Sequence, residues 1–205
     1  MLQFESTYHT IYKGESIMLM DRIIGAFTFR KEVYAEVEKD TSFTTTAWIL
    51  VAVVAFLNQL GSAATAGSFG GWIVGAIVGT IFAILGFAVG AWVISWVGRA
   101  LFQADVSFEE MVRCLGLAYV WQVIGVLGIL GLISEALGCL VLPVVLISIL
   151  AMIAAWFIAA KEALDLEWGQ TIVTVIVGWV ALIIVSLVIG GLVLGALGVG
   201  AALVG

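Results

Sequence analysis

Between Thr41 and Gly98 the chain carries no charged side chain at all, and that gap limits what it can fold into. A hydrocarbon core about 30 Å thick is crossed by roughly 20 predominantly apolar residues in a helix. Five runs meet or approach that length, at 44–60, 72–97, 114–133, 139–160 and 171–193. In lipid no water is at hand to bond backbone N–H and C=O groups, so such runs become helices rather than loops or open sheet edges. The β-branched stretch Val141–Ile149 is therefore read as helix as well. Charged residues make up 11% of the chain and hydrophobic ones 63%, whereas a globular domain carries about 25% charged. The expected fold is an all-α polytopic membrane protein: residues 1–43 form a cytoplasmic N-terminal amphipathic arm and residues 44–205 a domain of five transmembrane helices.

Loops that stay in the cytoplasm carry an excess of Lys and Arg. Lys13, Arg22, Arg30, Lys31 and Lys39 precede the first run, Arg99 and Arg113 fall between the second and third, and Lys161 follows the fourth, while the loops Gly61–Gly71 and Ser134–Gly138 hold no basic residue. Discarding Lys13 and Arg22 as too distant from a span leaves the asymmetry in place. Five spans then put the N-terminus in the cytoplasm and the C-terminus outside. The net charge of −6 argues against a polybasic lipid-binding patch and against a nucleic-acid partner.

The arm holds half of the 14 acidic residues. No basic stretch followed by a short apolar run and a small-residue cleavage site opens it, so it is not expected to be a signal peptide. Residues 1–16 are polar and mixed, and either Met18 or Met20 would serve as a start. From Ile17 the pattern tightens: Met20, Ile23, Ile24 and Phe27 follow the spacing of one helical face, and Phe29, Val33 and Val37 continue at four-residue steps. One or two short amphipathic helices are predicted. They either lie in the headgroup region or pack on the ends of the spans.

The second run carries Gly71, Gly75, Gly79, Ala83, Gly86 and Gly90, a small-residue stripe of the kind that lets membrane helices approach closely. Gly191 and Gly195 repeat the spacing in the fifth run, and Gly125, Gly128 and Gly131 give the third a small face. Packing within one bundle accounts for these stripes, and so would a homo-oligomer through the second span. Pro143 falls in the first turn of the expected fourth span, where its missing N–H costs little. Trp72, Trp96 and Trp168 fall at span ends, as interfacial rings do, and Trp48, Trp92, Trp121, Trp156 and Trp179 are expected to pack inside the bundle.

Chemistry is sparse. Ser107 and Glu110 have the spacing of a capping box, which predicts a helix starting near Phe108. Glu109 and Arg113 stand four apart and are expected to pair on a solvated helix entry. Asn58, Gln59 and Gln122 are the larger polar residues inside the spans, and none is ionisable, whereas proton and ion paths leave buried acids, bases or His. His9 is the one histidine, so neither a His-based nucleophile system nor a His metal site is available within one chain. Cys114 and Cys139 are placed at opposite membrane faces, too far apart to bridge. No catalytic residue, cofactor or metal is expected, and the chain is not read as an enzyme. The candidate partner surface comprises Arg99, Glu109, Arg113, Lys161, Glu162 and Asp165, facing an unidentified cytoplasmic protein, with membrane lipids as the remaining partner.

Two stretches carry a resemblance. Arg99–Phe102 followed by Val106–Tyr119 is similar to the small-residue turn and the "sF" and "lgYa" pattern of the Yip1 family, and Ala160–Gln170 is similar to that family's loop before its last helix. The order of parts over about residues 20–190 resembles a prokaryotic Yip1-domain protein. The resemblance implies a non-enzymatic integral membrane protein. Its eukaryotic members act in vesicle traffic and bind Rab-type GTPases through their cytoplasmic part. The Asp-Leu-Tyr-Gly-Pro type of segment found there is replaced here by Asp40–Phe43, which argues against a GTPase partner and, with the resemblance to prokaryotic members, implies the plasma membrane of a prokaryote. Two functions follow as expectations. The first is a membrane scaffold or interaction protein. The other is a small oligomeric transporter or channel with a polar path near Asn58 and Gln122.

Overall fold

The computed structural model describes residues 18–63, 68–184 and 187. Helix α1 covers 18–27, and α2 (Lys31–Lys39), α3 (Phe43–Ser62), α4 (Phe69–Phe102) and α5 (Phe108–Ala118) follow. A 3-10 helix continues from α5 over Tyr119–Leu132, and α6 (Glu135–Leu164) and α7 (Trp168–Ile184) complete the chain of elements. Among the described residues there is no strand. Among the described residues four helical stretches are long and apolar enough to cross a membrane, Phe43–Ser62, Phe69–Phe102, Phe108–Leu132 and Ala136–Leu164, and Trp168–Ile184 is a shorter apolar helix. The far end of the expected span 171–193 lies outside the described residues, as do residues 1–17 with His9, and Gly191 and Gly195.

The bundle is turned outward as a lipid-immersed protein should be. Ile81, Phe82 and Leu85 of α4 and Leu140, Leu146, Ile147 and Leu150 of α6 are all more than half exposed. In water such a surface would be an aggregation site, whereas acyl chains cover it without penalty. Trp92, expected inside the bundle, is on this surface at 54% exposed. The buried core instead gathers where the arm meets the spans. Residues 111–120 of α5 and the start of the 3-10 helix are buried without interruption, enclosed by α2, α3, α4 and α6.

The third span departs from the expected α-helix. After Ala118 the chain tightens into 14 residues of 3-10 helix, far beyond the usual single turn. At about 2.0 Å per residue, 14 residues reach roughly 28 Å, against about 21 Å as α-helix. The 3-10 segment alone nearly crosses the hydrocarbon core and leaves α5 to serve the arm. Side chains three apart eclipse in this geometry, so Gln122, Gly125, Gly128 and Gly131 stand in one line. Gly125 and Gly128 of that line face α3, and Gly131 faces Gly138 of α6: a Cβ on Gly61 would overlap the Gly125 carbonyl, and one on Gly128 would come within 2.8 Å of the Gly61 carbonyl oxygen. The expected small face of the third span is therefore a contact between two backbones.

The stripe on α4 is less uniform than expected. Gly79 receives the Gln59 side chain at 2.6 Å from where its Cβ would be, and Gly90 receives Leu182 at 3.2 Å. Among the described residues Gly75 has only Ala63, at 3.5 Å, and Gly86 meets nothing within 4 Å, while Gly71 is exposed. Pro143 lies inside α6 rather than in its first turn, because that helix begins at Glu135.

Among the described residues three non-glycines have positive φ, Phe29 at 55°, Gln103 at 55° and Asp165 at 49°. They end α1, α4 and α6, and all three turns lie at the arm end of the bundle.

Candidate functional site at the arm end of the bundle

Local signals start the helices here. The Ser107 hydroxyl accepts from Glu110 N at 3.1 Å, and Glu110 Oε2 accepts from Ser107 N at 2.6 Å, which completes the expected capping box and starts α5 at Phe108. Helix α1 ends in a Schellman turn: Arg30 N donates to Gly25 O at 2.9 Å and Phe29 N to Ala26 O at 3.3 Å. Phe29 occupies the left-handed position that glycine usually takes, and its ring stacks on Trp121 at 5.3 Å and 18°. Trp121 in turn donates its indole N–H to Ala26 O at 3.3 Å. The expected single apolar face of α1 is split: Ile23 and Phe27 pack inward, while Met20 and Ile24 are 58% and 51% exposed.

Arg22, set aside in the charge count, is buried. It reaches Glu36 at 2.7 Å and Asp40 at 2.9 Å and sits 5.0 Å from the centre of the Phe43 ring, locking α1 against α2 and the start of α3. The Ser42 hydroxyl, then partial burial in the opposite sense, then Arg22 leave the Asp40 carboxyl below its ordinary range. Glu38 is shifted the other way, raised by burial and then by the neighbouring Asp165 carboxylate. Tyr34 is fully buried with no partner for its hydroxyl among the described residues, and burial pushes that phenol up.

Arg113 corrects the sequence reading. It is 3% exposed and makes no pair with Glu109. Its Nε donates to Val37 O at 2.9 Å and Glu38 O at 3.0 Å, a terminal nitrogen also donates to Glu38 O, and the other donates to Thr44 Oγ1 at 3.2 Å. The nearest carboxylate is Glu110, at 3.9 Å. The guanidinium thus bonds the free carbonyls at the end of α2, an internal strut rather than a partner surface.

The other expected surface residues divide into two groups. Arg99 is exposed and donates to Ser95 O at 3.3 Å, and Glu109 is exposed on α5. Lys161, Glu162 and Asp165 cluster separately around Trp168. Lys161, Glu162, Phe29, Lys31, Ile158 and Trp168 enclose a cavity of about 450 Å³. A neighbouring one of about 510 Å³ runs along Lys161 and Asp165–Gly169. Lys161 Nζ lies 5.6 Å from the Trp168 ring centre and 4.0 Å from Glu162. In the sequence Phe29 stood only on a predicted helical face and Lys31 only among the basic residues before the first run, and neither was assigned to the candidate surface.

Inside the spans Asn58 Nδ2 donates to Gln122 Oε1 at 3.2 Å. A cavity of about 220 Å³ beside Gln122 is walled by Phe87, Tyr119, Met152, Trp156 and Trp179, with Ala83 and Gly86 at its edge. Among the described residues no group of three or more His, Cys, Asp or Glu is placed to hold a metal ion.

Long apolar helices around a buried cap define a multi-pass, all-α membrane protein. The Yip1 domain matches residues 24–200, and the chain belongs to the Yip1 family. That match begins in the last turn of α1 and runs through α7, so it covers α2, α5 and the spans. No curated protein and no solved structure matches the chain.

Proposed function

We propose that this Yip1-family protein is a non-enzymatic membrane scaffold that binds a protein partner through its arm-end cap. Its membrane is the plasma membrane of a prokaryote, with the N-terminus in the cytoplasm and the C-terminus outside. The observation that carries the reading is the construction of the cap. Buried Arg22 and Arg113 fasten α1, α2 and α5 to one another and to α3. A helical surface fixed in this way presents its outer charges, Arg99, Asp105 and Glu109, in a set geometry, as recognition of a partner requires. The partners implied are membrane lipids, a cytoplasmic protein and, through the lipid-facing side of α4, a second copy of the chain.

The alternative of a small oligomeric transporter or channel finds less support. Asn58 donates its amide to Gln122, and the cavity beside Gln122 is walled mainly by aromatic rings. A permeation path needs polar groups turned toward a water-filled lumen.

The test is affinity capture of the intact protein from gently solubilised membranes, compared with a variant combining Arg99→Glu and Glu109→Lys, both on exposed side chains. A partner lost in the charge-reversed variant supports the scaffold. Solute flux across reconstituted vesicles without any partner would replace it with the transporter.

A further inference from the structure

The cavity between the α1–α2 turn and the facing ends of α6 and α7 combines two chemistries. Lys31 and Lys161 supply ammonium groups, while Phe29, Ile158 and Trp168 supply an apolar wall. Lys31 is exposed and enters no ion pair among the described residues, and Lys161 meets Glu162 only at the 4.0 Å limit. Two lysines and one glutamate leave the lining with a net charge of +1. Trp168 is half exposed at the start of α7, and the apolar side chains of Met20 and Ile24 are exposed on the adjoining α1, the mixture of side chains that suits a headgroup boundary. Basic pockets between transmembrane helices are suited to phospholipid headgroups.

From this geometry we infer that the cavity binds one anionic glycerophospholipid of the arm-side leaflet, its phosphodiester between Lys31 and Lys161 and its acyl chains along Phe29, Ile158 and Trp168. The net charge of +1 matches a monoanionic headgroup such as phosphatidylglycerol, and the Glu162 carboxylate opposes more highly charged ones. Phe29 adds an independent observation. A bulky residue held at φ 55° is a strained choice where glycine would be free of strain, and such strain tends to persist where a side chain has a task. Here the strained turn places the Phe29 ring in the wall of the cavity.

The full chain is purified from an equal mixture of phosphatidylglycerol, phosphatidylethanolamine and phosphatidylcholine, and the lipid retained per protein is counted by native mass spectrometry. Phosphatidylglycerol should be retained selectively. Lys31→Gln should lower its retention about fivefold and the double variant with Lys161→Gln about 30-fold, the size expected for one or two lysines acting on an anionic headgroup. Millimolar inorganic phosphate should not displace it. Equal retention of the three lipids, unchanged retention in Lys31→Gln, or displacement by inorganic phosphate would each overturn the assignment, the last by making this a free-phosphate site. Lys31→Gln alters an exposed side chain with no ion pair, so it decides the matter even if the double variant fails to fold.

Discussion

Arg113 holds the Glu38 carbonyl oxygen with two of its nitrogens, Nε at 3.0 Å and a terminal nitrogen beside it. This places a buried cation of α5 on the last turn of α2, where carbonyls lack helical partners and the helix dipole is negative. Charge-assisted bonds are the stronger kind, and breaking them inside a protein leaves groups of both partners desolvated. Arg113→Ala should destabilise the arm by about 3 kcal/mol or more. Arg113→Lys should recover only part of that, because an ammonium cannot span the same fork. The rate at which a protease removes α1 and α2 from the solubilised protein checks both, and equal rates in wild type and Arg113→Ala would refute the strut.

Glycines of one sequence type should differ sharply in their tolerance. Gly61→Ala drives a methyl into the Gly125 backbone, which neither helix can relieve without moving apart. Gly86→Ala places the same methyl more than 4 Å from any described atom of the other helices. Thermal unfolding in detergent should fall markedly for the first, by about 1–3 kcal/mol, and stay near wild type for the second. If both tolerate alanine, the contact between α3 and the 3-10 helix is not tight.

Why the sequence announced some of this and hid the rest follows from range. The Ser107–Glu110 cap was legible because both partners lie within one turn, and the spans were legible because lipid leaves a long apolar run no other conformation. The three-residue spacing of Gln122, Gly125, Gly128 and Gly131 already suited a 3-10 helix, yet α-helix is the default and the spacing reads as a loose small face. Arg113 was misplaced for a different reason. Its partners on α2 lie about 75 residues away in the chain, while Glu109 stands at an inviting distance on the same helix. The break at Phe29 was hidden because left-handed turns are normally signalled by Gly or Asn.

Phe29 should reverse the usual ranking of alanine over glycine. Both substitutions lose the stack on Trp121, but Phe29→Ala keeps a Cβ at φ 55°, whereas Phe29→Gly relieves it. Left-handed backbone costs an ordinary residue roughly 1–2 kcal/mol, so the glycine variant should be the more stable by about 1 kcal/mol. Unfolding midpoints of the two variants, side by side, provide the check, and an alanine variant at least as stable as glycine would remove strain from the account of this turn.

The arm should hold best at mildly acidic pH, because its two shifted carboxyls pull in opposite directions. Asp40, lowered by the Ser42 hydroxyl and, against partial burial, by Arg22, contributes stability that is complete above the ordinary aspartate range. That contribution is lost as pH falls through its depressed value. Glu38, raised by burial and by Asp165, binds its proton more tightly when folded. Between the ordinary glutamate value and the raised one the folded state therefore holds more protons, and stability falls as pH rises through that window. Hydrogen exchange of the α1 and α2 amides, corrected for intrinsic rates, should show protection declining on both sides of a maximum. Asp40→Asn should flatten the acid limb alone, and Glu38→Gln the upper limb alone. A wild-type profile with one limb, or one in which Glu38→Gln leaves the upper limb intact, would place the titration elsewhere in the cap.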